Sequence, residues 1–95
     1  MTHELKCWPE FFQAMLSGSK TFEARRDDRN FKVGDNLVLK EWTPADSIHS
    51  NEGEYSGREI TALVTYILHG SEANRKTGIG EGYCVMSIQP FKLQP

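Results

Sequence analysis

Polar and apolar residues alternate with period two along Glu4-Leu5-Lys6-Cys7-Trp8, which predicts a first strand. His3 falls on the face of Leu5 and Cys7, where it either lines the open end of a core or stays partly exposed near the terminus. At Pro9 the period changes. Pro suits the first position of a helix, and Glu10 sits beside the positive end of its dipole. Phe11, Phe12, Met15 and Leu16 then form one apolar face, and Gly18 is placed to end the helix in a left-handed cap. The pattern therefore predicts a helix over 9–17 that plugs one end of the core. From Lys20 to Arg25 the alternation returns, with Phe22 and Ala24 on one face and Thr21, Glu23 and Arg25 on the other. Arg26 to Asn30 is a charged turn, and Val33-Gly34-Asp35 is a second turn that Asp35 can close with its side chain.

Asn36 to Trp42 predicts a strand with Leu37 and Leu39 inward. Residues 43–57 are polar and aperiodic, a loop or long hairpin that either covers a site or only decorates the surface. Arg58 to His69 carries Ile60, Ala62, Val64, Tyr66 and Leu68 on one face and Leu63 and Ile67 on the other, the mark of a central or bending strand. Gly78-Ile79-Gly80-Glu81-Gly82 looks superficially like a phosphate loop. It leads into a strand and not a helix, so its glycines read as a flexible approach to that strand. Tyr83 to Phe91 is the last strand, ending near Pro90. Five strands and one early helix give an α+β, mainly β fold, and closing the strands into a small barrel would remove exposed edges.

Length fits this picture. Ninety-five residues make one domain, 1–95, and a domain of that size buries only roughly 60–70% of its unfolded surface. No apolar run approaches the ~18 residues of a membrane span, and the N-terminus shows no basic-then-apolar signal pattern, so a cytoplasmic location is expected. Cys7 and Cys84 fit no metal spacing and read either as two reduced core thiols or as a disulfide joining the first and last strands. His3, His49 and His69 are scattered, no Walker loop is present, and no cofactor is expected.

Charge changes the picture more. The net charge is −2, which argues against a bulk electrostatic nucleic-acid binder. Yet residues 20–32 hold five basic and three acidic side chains, leaving six basic and ten acidic on the rest. A mildly acidic body with one basic segment suits a small anionic ligand or a short single strand. Within that segment Lys20, Glu23 and Arg25 form the best constellation, supported by Arg26, Arg29 and Lys32 as phosphate contacts. A Lys and a Glu in one partly dry pocket can do acid–base work, and Arg offers a planar fork for phosphate or carboxylate. The same charges can also be an ion-paired rim that orders the turn.

The ordered motifs resemble a known family. They are His3-Glu4-Leu5-Lys6, the Phe-rich helix ending at Ser17-Gly18-Ser19-Lys20, Thr21-Phe22-Glu23-Ala24-Arg25, Asp28-Arg29-Asn30-Phe31-Lys32-Val33-Gly34-Asp35, Tyr55-Ser56-Gly57-Arg58-Glu59-Ile60 and Gly82-Tyr83. Nearly the whole chain is similar to the small phage and bacterial branch of the ASCH domain family, within the PUA-like superfamily. The resemblance implies a PUA-like β-barrel with a helix beside a cleft, a role in binding RNA or nucleotides, and Lys20, Glu23 and Arg25 lining the cleft. Asp27 stands where many members carry Asn. Some ASCH relatives hydrolyse acylated nucleosides with a Lys and a Thr in this strand and a Glu elsewhere. Lys20 matches the Lys, Glu23 stands at the Thr position, and Glu81 is the candidate for the distant Glu. Ribonuclease activity also occurs in parts of the superfamily.

These readings give three functional expectations. The first is an RNA- or nucleotide-binding domain with its cleft at Lys20, Glu23 and Arg25. The second is a small hydrolase of a modified nucleoside or RNA, with Lys20 and Glu23 as the acid–base pair. The third is a phage-type module that binds a protein partner, in which Trp42 and Tyr55 would matter more than Lys20.

Overall fold

The computed structural model describes residues 1–45 and 52–95. In chain order the elements are β1 (Thr2–Cys7), α1 (Pro9–Leu16), β2 (Phe22–Arg26), β3 (Asn36–Thr43), β4 (Glu54–His69), a short 3-10 turn (Glu72–Asn74) and β5 (Tyr83–Gln94). Five strands and one short helix make the α+β, mainly β architecture that the hydrophobic pattern predicts. The strands form one sheet in the order β1-β3-β4-β5-β2. β1 and β3 pair in parallel; every other pairing is antiparallel.

That order places β1 and β2 at opposite edges, although only α1 separates them in the chain. The sheet curls into a half-barrel and brings these two edges face to face. They run antiparallel across the gap, with α1 joining their ends on one side and residues 27–35 crossing on the other. No backbone ladder joins them. Instead Arg25 Nη2 donates to the carbonyl of Lys6 at 2.6 Å, and Arg29 Nη1 donates to the carbonyl of Glu4 at 2.9 Å. Closure thus differs from the barrel with fully paired edges expected from edge arguments: guanidinium groups occupy two carbonyls of β1, which blunts that edge against other chains.

The core forms where the alternation says it should. Leu5 and Cys7 from β1, Leu37 and Leu39 from β3, Ile60, Ala62 and Val64 from β4, and Cys84, Met86 and Ile88 from β5 are all buried. From α1, Phe12 and Met15 close the end of the half-barrel, with Leu16 packed beside them. Gly18 (φ +82°) ends the helix as expected, and the amides of Ser19 and Lys20 both donate to the carbonyl of Ala14. Both cysteines are buried free thiols.

Three details depart from strict alternation. Phe11 is 47% exposed, because successive helical residues diverge by about 100° and Phe12 takes the centre of the face. Tyr66 is 59% exposed while Ile67 packs against the core, because the β4–β5 register shifts between Val64 and Tyr66 and reverses the facing of the later β4 residues. β5 runs past Pro90 to Gln94, since Pro90 sits beside a second register shift at Ala62, where a missing N–H is tolerated.

Polar groups also enter the interior. Period two places Glu41 on the face of Leu37 and Leu39. It is buried there and held by Arg58 Nε and Nη2, each at 2.9 Å, and by the Ser56 hydroxyl at 2.7 Å. These donors, Arg58 first, hold its carboxyl below the usual range. The Arg58 guanidinium lies 4.9 Å from the Phe12 ring centre, so it covers the helix as well.

At the other end of the core, His3 is buried and not partly exposed. Its Nε2 donates to Asp35 Oδ2 at 2.8 Å, and Phe31 packs edge-on against its ring at 4.7 Å. Asp35 also accepts the Lys32 amide at 3.0 Å, closing the turn at Gly34 (φ +97°). The His3 hydrogen bond, followed by the Lys32 amide, lowers the Asp35 carboxyl from 3.8 to about 2. A depressed folded-state value favours folding when the carboxyl is ionised. Its contribution is therefore complete above the ordinary value of 3.8 and is lost as pH falls through about 2. Urea midpoints of the wild type should drop across that window, and Asp35→Asn should flatten the drop. Asp35→Ala leaves the buried His3 and Lys32 donors without an acceptor and should destabilise by about 1–3 kcal/mol at neutral pH.

Candidate functional site

The alternation expected for β2 holds, but the charged face is the one that turns inward. Glu23 is 3% exposed and Phe22 46%. The partner strand explains this: Glu23 pairs with Met86 and Arg25 with Cys84, both core positions of β5. Burying the carboxylate is offset by two cations. Lys20 Nζ donates to Glu23 Oε1 at 2.6 Å and Arg25 Nε to Glu23 Oε2 at 2.8 Å. Lys20 Nζ also donates to the carbonyl of Phe22 at 2.6 Å. Lys20, Glu23 and Arg25 are thus brought together as one fixed chain of charges.

They line a cleft of about 580 Å³ in the seam between β1 and β2, roofed by α1. Arg26 stands on the same cleft, its guanidinium 6.0 Å from the Tyr83 ring centre. The cleft also carries aromatics that the hydrophobic pattern either assigns to packing or does not single out. Trp8 and Phe11 are each 47% exposed, and with Phe22 they line the cleft. The Lys20 ammonium lies 5.0 Å from the Phe22 ring centre and 6.0 Å from that of Phe11. The signal in the sequence is two adjacent phenylalanines on a short helix, only one of which can reach the core.

A second recess of about 340 Å³ adjoins the first and shares Lys6 and Arg25 with it. Arg29 lies here with Glu4, Lys40 and Tyr55. Lys32 lines neither space; its part in the structure is its amide bond to Asp35. Glu81, in the turn before β5, is exposed and lines neither space. Asp27 accepts a hydrogen bond from His69 Nδ1 at 2.7 Å. Residues 46–51, the middle of the 43–57 segment expected as a possible cover, lie outside the described residues, as does His49. Among the described residues no group of three or more His, Cys, Asp or Glu side chains could hold a metal ion. No helix among them is long and apolar enough to cross a membrane.

The sequence matches the family described as a domain of unknown function (DUF3850) over residues 2–88. The chain belongs to this DUF3850 family. The match takes in β1, α1, β2 and the 27–35 crossing, hence every residue of the cleft. A protein of Escherichia phage P2, described as an uncharacterized 12.9 kDa protein in the GpA 3′ region, is 36% identical over 63 residues, 66% of this chain. The chain spans about half the length of that curated relative, 50%.

One reactive group of this DUF3850 chain faces the cleft, Cys7, and its chemistry is suppressed. Burial, reinforced by the nearby Glu23 charge, pushes the thiol up to about 11. Cys84 is also pushed up to about 11, by burial and the charges of Asp27 and Asp28. With a value near 11 only about one thiol in a thousand is thiolate at about pH 8. Iodoacetamide should therefore label both cysteines slowly in the native protein and quickly in denaturant, as read by intact mass. Rapid native labelling of Cys7 would show an open, activated thiol.

Proposed function

We propose that this chain binds RNA or a nucleotide-like ligand in the cleft between β1 and β2. The observation that carries the reading is the fixed Lys20–Glu23–Arg25 chain facing a concave space whose rim is aromatic. Trp8, Phe11 and Phe22 offer stacking faces of the kind that hold bases without strict sequence preference. Arg25 and Arg26 supply charge for phosphate, and Glu23 holds Arg25 in place. The resemblance to ASCH domains supports the same placement, since a PUA-like barrel with a helix beside a cleft implies ligand binding there. Two buried free thiols fit a reducing compartment such as the cytoplasm.

The 2.6 Å contact between Lys20 and Glu23 also supports a second reading, a hydrolase of a modified nucleoside or RNA. Against it, Glu23 is held by two cations and Lys20 by a backbone carbonyl as well, which describes a pair fixed in place more than one poised to exchange protons.

Binding should involve two to four phosphates, because the cleft cations are few and the body is acidic. At about −0.7 per phosphate for a single strand, the slope of log affinity against log salt should be roughly −1.5 to −3. Lys20→Ala should weaken binding, and Trp8→Ala or Phe11→Ala should each cost about 1–3 kcal/mol where a base stacks on the ring. Fluorescence titration of short RNA against salt measures all three. Absence of binding to any RNA or nucleotide at low salt removes the reading. Turnover of an acylated cytidine by wild type, abolished in Lys20→Ala, would replace it with the hydrolase, and neither result leaves the protein-partner module.

A further inference from the structure

We infer that the recess on the outer side of β1 is a phosphate subsite, formed by Lys6, Arg25, Arg29 and Lys40, and that the cleft ligand is a phosphorylated nucleotide unit whose phosphate reaches it. This rests on the proposed nucleotide reading of the cleft and names the part of the ligand that reading leaves open.

Four cationic side chains converge on a concave space of about 340 Å³ with a single carboxylate, Glu4, among them. Glu4 is a weak counterweight: its side chain is 66% exposed and its Oε1 lies 3.3 Å from Lys40 Nζ. Like charges gathered in a concavity repel, and nothing in the packing of the core requires them there, since Lys6 and Lys40 project from the face of the sheet away from it. An anion removes that repulsion.

The donors are also fixed in advance. Arg25 uses Nε on Glu23 and Nη2 on the Lys6 carbonyl; Arg29 uses Nη1 on the Glu4 carbonyl. Among the described residues the other guanidinium nitrogens of both arginines have no partner. The Lys6 ammonium is held 4.5 Å from the Trp42 ring centre. A phosphate is the anion that matches several oriented donors at once, because its oxygens accept from more than one direction. Lys6 and Arg25 line both spaces, so one ligand can stack its base among the aromatics and place its phosphate past Arg25. Lys6 and Lys40 thereby join Arg25 and Arg29 as phosphate contacts, while Arg26 stays on the aromatic cleft and Lys32 lines neither space.

The test is isothermal titration of wild type, Lys40→Gln and Lys6→Gln with the common ribonucleosides, their monophosphates and inorganic phosphate. Both lysines are on the outer face, and thermal melts confirm folding of each variant. Wild type should prefer a monophosphate over its nucleoside by about tenfold or more; each variant should bring that ratio toward parity, and Lys40→Gln, whose residue lines the recess and not the cleft, should keep nucleoside affinity within about twofold. Equal affinity for nucleoside and monophosphate in wild type, or a preference intact in both variants, overturns the subsite and leaves the cleft reading standing. Inorganic phosphate bound in a Lys40-dependent way, with no nucleoside or monophosphate bound, keeps the subsite and removes the cleft reading. No binding of any probe removes both. A short oligoribonucleotide without terminal phosphates separates the sources: a Lys40-dependent gain there assigns the phosphate to a strand, and a gain confined to monophosphates assigns it to a free nucleotide.

Discussion

The structure depends on a seam that backbone hydrogen bonds do not close. A sheet ordered β1-β3-β4-β5-β2 ends in two strands that face each other, and their edge groups must find partners or water. Pairing them would complete a barrel and fill the space between. The chain instead spans the gap with two arginines, each donating to a carbonyl of β1. A guanidinium reaches several ångströms beyond the backbone, so strands joined this way stand further apart than strands joined by a ladder. The distance so preserved is the cleft.

That solution forces charge into the interior. Arg25 can reach β1 only if β2 turns its charged face inward, and a lone guanidinium there would be costly to desolvate. Glu23 offsets that cost, and Lys20 balances Glu23 in turn. The same device recurs with Glu41 and Arg58, whose paired contacts at 2.9 Å lock the start of β4 over α1. His3 with Asp35 makes the third such pair, where the 27–35 crossing meets β1 and β3. Among the described residues three buried carboxylates, Glu23, Glu41 and Asp35, each held by side-chain donors, mark the places where chain ends and crossings meet the sheet. At each of them apolar packing alone would leave backbone or side-chain donors unsatisfied.

The strands, the helix and its glycine cap are legible in the sequence because period-two and helical patterns are local. Lys20, Glu23 and Arg25 also stand out there as a unit, through their spacing and the density of charge around them. Direction is not legible in the same way. Alternation separates Phe22 from Glu23 without saying which faces the core; β5 decides that, since its Met86 and Cys84 lie opposite Glu23 and Arg25. The same limit hides the exposure of Tyr66, which comes from a register shift against a strand about twenty residues away. Lys6 and Lys40 look like ordinary outward residues of two separate strands. Only the parallel pairing of β1 with β3, which sets Lys6 opposite Lys40, brings them to one place.

The arginines that replace the ladder have a cost and a consequence. Fixing a long side chain gives up rotamer freedom, up to about 2 kcal/mol for Arg, and a hydrogen bond to a charged donor returns a similar amount, about 1.5–3 kcal/mol. The exchange is close to even for stability, so the seam gains little over a simple ladder as a way to hold strands together. It differs in what remains afterwards. A ladder uses every donor it brings, whereas a guanidinium has five N–H groups and spends only part of them on the strand. The remainder are already oriented, and the entropy of orienting them has been given up during folding. A ligand that meets them later does not have to order them again, which is the advantage of preorganisation in binding. The residues that hold β1 and β2 apart are therefore also those that would meet the proposed anion with donors already in place.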